Sequence, residues 1–329
     1  MKVGIIGCGA IGRKRALALG SHELVIAIDT SLERAREVAR LKKCSAVSTD
    51  YEDALKNNEI DLILISTTNE FLAKITLAAV TAGKHVLVEK PAGRTPEELI
   101  PIIEAAKRNN VFVKVGFNHR YHPALLKAKQ LVDSGVVGPL MFIRGRYGHG
   151  GRLGYEKEWR AIPQKSGGGE LIDQGVHLID LSRWFLGELD VAEGFAHTYF
   201  WEMPVDDNAF LMLKSPNDQI AWLHVSCTEW KNMFSFEIYG KKGKLQIEGL
   251  GGSYGVERLY LYKMLPMMGP PETTIWEYPF PDNSWHLELN EFIRSIEMHK
   301  EPEGNIRDAK TVLDIVKTVY DACNFKVNV

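Results

Sequence analysis

Three glycines, Gly7, Gly9 and Gly12, lie between the apolar run Val3-Gly4-Ile5-Ile6 and a helical stretch from Arg13 to Leu19. No other feature constrains the fold of this chain as much. In a strand–turn–helix unit of this spacing the first glycine permits a tight turn. The second lets the main chain approach a pyrophosphate, and the third lets helix and strand pack closely. The helix start offers unpaired N–H groups and a positive dipole end to the phosphates. Ala10 and Ile11 complete the turn, and Cys8 within it reads as a small filler residue rather than a nucleophile. A second strand, Leu24 to Ile28, ends in Asp29, 17 residues past Gly12. An acid at about 20 residues' distance binds ribose hydroxyls. A 2′-phosphate there would meet a negative charge, so NAD is expected as cofactor in preference to NADP. The competing reading is that Asp29 only caps the helix that follows.

Strands and helices then alternate. Helical stretches at Leu32 to Arg40, Tyr51 to Lys56, Phe71 to Ala82 and Pro96 to Asn109 separate strands near Ala46-Val47, Leu62 to Ser66, His85 to Val88 and Val111 to Val115. Such alternation implies βαβ units and a parallel sheet, hence an α/β Rossmann domain. Its edge is expected near Asn118–Tyr121, giving domains 1–120 and 121–329.

Beyond that edge a helix, Pro123 to Ser134, and a strand, Pro139 to Tyr147, precede a long polar, glycine-rich loop, 148–169. A helix from Glu170 to Leu186 follows it. Seven strand-like runs without intervening helices occupy residues 191–279, which implies an α+β domain with a large, mainly antiparallel open sheet. Two helices, Ser284 to Met298 and Ile306 to Asn324, close the chain. The second carries Val312, Val316, Val319 and Cys323 as a core-facing stripe.

Two stretches carry the chemistry. The apolar run His85 to Val88 stops at Glu89-Lys90-Pro91, and ligands of open parallel sheets bind beyond the carboxyl ends of strands. Lys90 is therefore placed to meet a substrate, although alone it would read as a solvated strand-end lysine. Downstream, Gly167-Gly168-Gly169-Glu170-Leu171-Ile172-Asp173-Gln174-Gly175-Val176-His177 puts Asp173 and His177 four residues apart, on one face if the segment is α-helical. A carboxylate beside an imidazole sets its tautomer and raises its basicity, as a proton acceptor for an alcohol requires. The alternatives are a satisfied core histidine or half of a metal site. No further ligands lie nearby in sequence, so no metal is expected.

In these motifs the chain resembles the glucose-fructose oxidoreductase, inositol dehydrogenase and MocA-like (Gfo/Idh/MocA) oxidoreductases. The resemblance rests on Gly7-x-Gly9-x-x-Gly12, Glu89-Lys90-Pro91, Asp173-x-x-x-His177, and Asn118-x-Arg120 followed by Pro123. It implies a Rossmann domain followed by a sheet domain that commonly packs against another subunit, as a homodimer or homotetramer. It implies that Lys90 hydrogen-bonds the reacting oxygen beside the nicotinamide, that His177 is the general acid/base, and that Asp173 orients His177 or grips a substrate hydroxyl. The expected cofactor-binding set is Gly7, Gly9, Ala10, Ile11, Gly12, Asp29, Thr67, Glu89 and Lys90. Asn118, Arg120, Arg152, Tyr155, Trp159 and Arg160 join Lys90, Asp173 and His177 as expected substrate contacts.

The activity implied is NAD-dependent interconversion of a secondary alcohol and a ketone, acting on CH–OH groups of a sugar, a sugar derivative or a cyclitol. Two rivals stand beside it: reduction of another carbonyl or C=N substrate on the same fold, and a non-catalytic dinucleotide-binding sensor. A sensor would need neither Lys90 nor the Asp173/His177 pair. In loop 148–169, Trp159 and Tyr155 can stack on a sugar ring, while His149, Glu156 and Glu158 can grip hydroxyls. If the loop is a lid, Arg152, Arg160 and Lys165 favour a phosphate, nucleotide diphosphate or carboxylate, partly offset by the two glutamates.

Composition excludes other classes. The formal charge of −2 leaves no electrostatic footprint for nucleic acid or an anionic membrane. No apolar run approaches the roughly 18 to 20 residues of a membrane span. The chain opens directly on a strand, so no leader is expected, and four scattered cysteines fit a reducing, cytoplasmic compartment.

Overall fold

The computed structural model describes residues 1–44, 46–325 and 327. They form two compact units. The first comprises residues 1–117, 164–167 and 285–314; the second comprises 118–163, 168–284 and 315–329. The edge expected at 120/121 lies three residues beyond Phe117. A single boundary also misses the later segments that return to the first unit, because most of the first C-terminal helix packs there.

The first unit holds β1 (Lys2–Ile6), α1 (Ala10–Ala18), β2 (Glu23–Ile28), α2 (Leu32–Leu41), β3 (Ala46–Ser48), α3 (Glu52–Leu55), β4 (Leu62–Ile65), α4 (Asn69–Thr81), β5 (His85–Val88), α5 (Ile100–Asn109) and β6 (Val113–Val115). The strands pair in the order β3-β2-β1-β4-β5-β6, all parallel. Strand order therefore reverses between β1 and β4, the switch point where such sheets bind ligands. The local sequence explains the elements. β4 reads Leu-Ile-Leu-Ile and is buried along its whole length, as a strand covered on both faces must be. Ser31 caps α2 by accepting the Arg34 N–H, and Asn110 ends α5 in the left-handed region, where asparagine is tolerated.

The second unit contains α6 (Pro123–Asp133), β7 (Leu140–Gly148), α8 (Val176–Leu186) and β8 to β14: Asp190–His197, Asn208–Lys214, Ile220–Ser226, Met233–Gly240, Gly243–Glu248, Glu257–Lys263 and Glu272–Tyr278. A one-turn helix, α7 (Pro163–Ser166), precedes α8 in the chain, and all of it but Pro163 belongs to the first unit. The strands form one eight-stranded sheet, β14-β13-β12-β11-β7-β10-β9-β8. Every pair is antiparallel except β7 and β10. Its inward residues, among them Ile143, Leu211, Leu223, Phe236, Ile247 and Leu259, are buried. The opposite face carries exposed Phe195, Phe210, Met212 and Trp222.

The last helices are α9 (Ser284–Glu297) and α10 (Ile306–Ala322). Leu289, Phe292, Ile293 and Ile296 of α9 join Val3, Ile5, Leu62 and Leu64 in the first unit's core. Of the stripe expected on α10, Val312, Val316 and Val319 are buried and Cys323 is half-buried. Among the described residues no helix is long and apolar enough to cross a membrane.

Candidate active site

In the first unit the glycine turn crosses the carboxyl end of β1 at the switch point. Gly7 has φ +91°, and a Cβ there would lie 2.4 Å from the Ser66 carbonyl oxygen. A Cβ on Gly12 would lie 1.9 Å from the Gly7 carbonyl oxygen, so α1 can approach the turn only with glycine at that position. Gly9, the N-cap of α1, has open space where a Cβ would stand, and no side chain caps the helix there. Ala10 and Ile11 form its first turn. The main chain thus leaves a cradle at the positive end of the helix, suited to a pyrophosphate.

Asp29, at the end of β2, accepts the Cys8 N–H at 2.8 Å and the Ser31 N–H at 2.8 Å. The carboxylate is locked to the turn and to the cap of α2, so the capping reading and the ribose-binding reading describe one arrangement. Each carboxylate oxygen has a further lone pair for a ribose hydroxyl. The donor set fits a nicotinamide dinucleotide without a 2′-phosphate. Cys8 is buried, and that burial beside Asp29 pushes its thiol up to about 12. It is a filler, not a nucleophile. Thr67, just past β4, bonds its hydroxyl to the Thr68 carbonyl.

At the end of β5, Glu89 is buried and Lys90 half-buried. Glu89 takes two contacts from the Arg15 guanidinium, at 2.7 and 2.6 Å, and Glu288 takes a third at 2.6 Å. The Trp285 ring lies 4.5 Å from the guanidinium carbon. Sequence reading missed Arg15 and Glu288, which bear on the site only through the folded chain.

In the second unit the segment after the triple glycine is not a regular α-helix. Leu171–Gly175 form a π-turn that leads into α8, so the simple four-residue register expected for Asp173 and His177 does not hold. The segment's start is tied down by a residue distant in sequence. The buried Asp206 carboxylate accepts N–H groups from Gly169 at 2.9 Å and Leu171 at 2.8 Å, and the Tyr320 hydroxyl at 2.6 Å. This ties down the orphan donors of a first turn. Turns of the π type recur at functional sites. The buried His177 ring stacks on His119, with centroids 3.7 Å apart. His119 is the unspecified middle position of the Asn118-x-Arg120 motif and was not itself singled out from the sequence.

Loop 148–169 was expected to lack structure of its own, but it folds into short helical turns at Tyr155–Lys157, Trp159–Ala161 and Pro163–Ser166. With Asp173, Gln174, Asn232 and Tyr254 its residues His149, Arg152, Tyr155, Glu158 and Arg160 line a cavity of about 280 Å³. Arg160 donates to Asp173 at 3.0 Å. Arg152 meets Glu158 at 2.6 Å. The buried Tyr155 donates its hydroxyl to Glu170 at 2.8 Å, with its phenol pushed up by burial and by Glu170. His149 accepts the Gly151 N–H at Nδ1 and turns Nε2 toward Glu170 at 3.5 Å. Burial opposes charge on this ring, but Glu170 outweighs it and raises the pKa. Gln174, Asn232 and Tyr254 carried no sequence signal.

Within the second unit four expected substrate contacts, Asn118, Arg120, Trp159 and His177, are not among the residues that line the cavity. Arg120 holds Asp180 with two bonds, at 2.8 and 2.6 Å, and both are buried. Asn118 donates to the Ser284 hydroxyl at 3.0 Å. Trp159 has the Arg160 guanidinium over its ring at 4.6 Å. Among the described residues no group of three or more His, Cys, Asp and Glu side chains could hold a metal ion.

Comparison with known proteins gives this arrangement a context. Residues 1–117 match the oxidoreductase family with an NAD-binding Rossmann fold, and residues 125–246 match the GFO/IDH/MocA C-terminal domain. The 1,5-anhydro-D-fructose reductase of Ensifer adhaerens is 30% identical over 74% of this chain and 74% of its own length. Levoglucosan dehydrogenase of Pseudarthrobacter phenanthrenivorans is 27% identical over 74% of this chain and 73% of the relative. The match to inositol 2-dehydrogenase 2 of Saccharopolyspora erythraea, at 30% identity, spans 64% of that protein's length. A solved structure of levoglucosan dehydrogenase in complex with NADH superposes with a TM-score of 0.90 at 22% identity, covering 98% of this chain and 97% of that one.

Proposed function

This chain belongs to the Gfo/Idh/MocA oxidoreductase family, whose N-terminal domain is an NAD-binding Rossmann fold, and from that premise we propose that it interconverts a secondary alcohol and a ketone on a sugar or cyclitol. The observation that carries the reading lies in the first unit. The glycine turn and Asp29 form a dinucleotide cradle at the β1/β4 switch point, and Lys90 lies two residues past the end of β5, the parallel neighbour of β4. Relatives named for levoglucosan, inositol and 1,5-anhydro-D-fructose chemistry support a sugar or cyclitol substrate.

The division of labour follows from the side chains. Nicotinamide supplies a carbon that accepts or returns a hydride. Lys90 donates a hydrogen bond to the reacting oxygen and stabilises negative charge developing there. His177 takes the hydroxyl proton during oxidation and returns it during reduction. Asp173, already held by Arg160, orients the ring or grips a neighbouring hydroxyl.

The exposed apolar face of the second unit's sheet fits a second copy of this chain. Phe195 stands opposite Phe210, and Met212 opposite Trp222, across neighbouring strands, forming a contiguous patch of the kind that marks an interface. The four cysteines are free thiols, which suits a reducing, cytoplasmic setting.

The test is hydride transfer to NAD, followed by near-ultraviolet absorbance across a panel of inositols, free sugars, sugar phosphates and nucleotide sugars. Binding of NADH with no turnover of any member would favour a sensor instead.

A further inference from the structure

The second unit's cavity carries two arginines, yet its charge is balanced. Glu158 meets the Arg152 guanidinium at 2.6 Å and reaches Arg160 at 3.9 Å. Asp173 holds the other side of Arg160 at 3.0 Å. The lining side chains Arg152, Arg160, Glu158 and Asp173 thus sum to zero formal charge. Behind them the Glu170 carboxylate, 1% exposed, adds one more negative group, turned toward Tyr155 and His149.

We infer that Glu158 sets the specificity of this cavity: by pairing with Arg152 while Asp173 holds Arg160, it makes the site one for an uncharged polyol ring and disfavours phosphorylated, nucleotide-linked or carboxylated forms. The inference rests on the sugar or cyclitol reading above and refines it. An entering phosphate would have to displace a carboxylate from an arginine and would be set beside like charge, which opposes binding. An uncharged ring meets no such opposition. Each hydroxyl both donates and accepts, and the wall alternates acceptors (Glu158, Asp173) with donors (Arg152, Arg160, Gln174, Asn232). Size agrees: about 280 Å³ falls at the small end of ligand pockets, roughly 300–1,000 Å³. This is room for one ring. The geometry reverses the preference that a bare count of loop cations suggests, because the two arginines that line the cavity are already engaged.

The test uses the full-length protein with NAD and matched pairs that differ only in an anionic group, such as glucose with glucose 6-phosphate and N-acetylglucosamine with its uridine diphosphate form. Hydride transfer gives kcat/KM, and calorimetric titration of the NAD-loaded protein gives affinity independently of turnover. The neutral member of each productive pair is expected to be preferred. Glu158→Gln, which frees Arg152 and leaves Arg160 to Asp173 alone while conserving shape, should shift the neutral-to-anionic ratio toward the anion by about 3- to 10-fold, a screened effect because Arg152 is largely exposed. The shift should shrink as ionic strength rises. Glu158→Ala should move the ratio the same way, so the inference does not depend on one variant folding. Preference of the unmodified protein for the anionic member, or an unchanged ratio in both variants, would overturn the role of Glu158 while leaving the dehydrogenase reading intact. If NADH binds but no pair member binds or turns over, the sugar reading itself falls and takes this inference with it.

Discussion

Arg15 and Glu89, 74 residues apart in sequence, form a buried ion pair with nitrogen–oxygen distances of 2.7 and 2.6 Å. Glu288 completes a triad from α9, and the Arg15 side chain has no exposed surface. The triad fixes the residue immediately before Lys90. Removing one partner of a buried pair leaves the other's charge uncompensated, at a cost of about 3–5 kcal/mol.

Arg15→Met should therefore lower unfolding stability by about that amount, measured as a shift in the urea midpoint at constant slope. Glu288 is already pushed toward its neutral form by burial, against the pull of Arg15. Adding Glu89→Gln and Glu288→Gln to Arg15→Met should then recover part of the loss. A loss under about 1 kcal/mol in the single variant would make the triad energetically idle.

The cofactor prediction concerns Asp29. Its carboxylate already accepts two main-chain N–H groups, so the charge is held in place beside the glycine turn. NADH should bind more tightly than NADPH, and Asp29→Ser should narrow the difference. Fluorescence titration of both reduced cofactors reads this directly, and equal affinities in the unmodified protein would refute it.

Lys90→Met should reduce turnover by about 100-fold or more while NADH affinity stays within several-fold, because the ammonium acts on charge present mainly in the transition state. His177→Ala should cause a comparable loss and change the pH–rate profile. Near-normal turnover in Lys90→Met would return Lys90 to an ordinary strand end.

The first unit was largely legible in the sequence, because its signals are local: a glycine turn fixed by Gly7 and Gly12, apolar strands, and helices of ordinary length between them. The second unit's strands were also legible by alternation, though the parallel pairing of β7 with β10 was not. What stayed hidden depends on residues distant in sequence. The start of the π-turn segment at Asp173 is held by Asp206, which reaches Gly169 and Leu171. The His119–His177 stack joins two helical segments 58 positions apart. The pairing of Arg152 and Arg160 with carboxylates is geometric, and counting charges in a loop cannot reveal it.

Asp206 gives a pH prediction. Complete burial raises its carboxyl to about 6, against the opposing bonds from Tyr320, Leu171 and Gly169. The folded state therefore holds this proton more tightly than the unfolded chain, whose value is about 3.9. Its contribution to stability is full below about pH 4 and is lost as pH rises through 6, on the order of 3 kcal/mol. Asp206→Asn removes the titration. The stability difference between wild type and variant should change across that interval and level off above about pH 7, as measured by urea unfolding at a series of pH values. A constant difference would mean that Asp206 stays ionised throughout.

The last prediction concerns the outer face of the eight-stranded sheet. Trp222 is 60% exposed and Phe195 47%, with Phe210 and Met212 between them in register. Fully burying one such side chain is worth about 1.5–3 kcal/mol, so leaving four in water forfeits a large hydrophobic gain. Toward the other edge of the sheet the same face carries Arg144, paired with Glu237, and Lys244, paired with the same carboxylate, so the apolar patch is bordered by compensated charges. A second copy can meet this face by a two-fold operation that sets apolar patch against apolar patch. Light scattering should find a dimer or a higher even-numbered assembly. Trp222→Glu should shift it toward monomer without lowering the stability of the fold, since the side chain lies outside the core. A monomeric unmodified protein, or an assembly insensitive to Trp222→Glu, would remove this face as the contact.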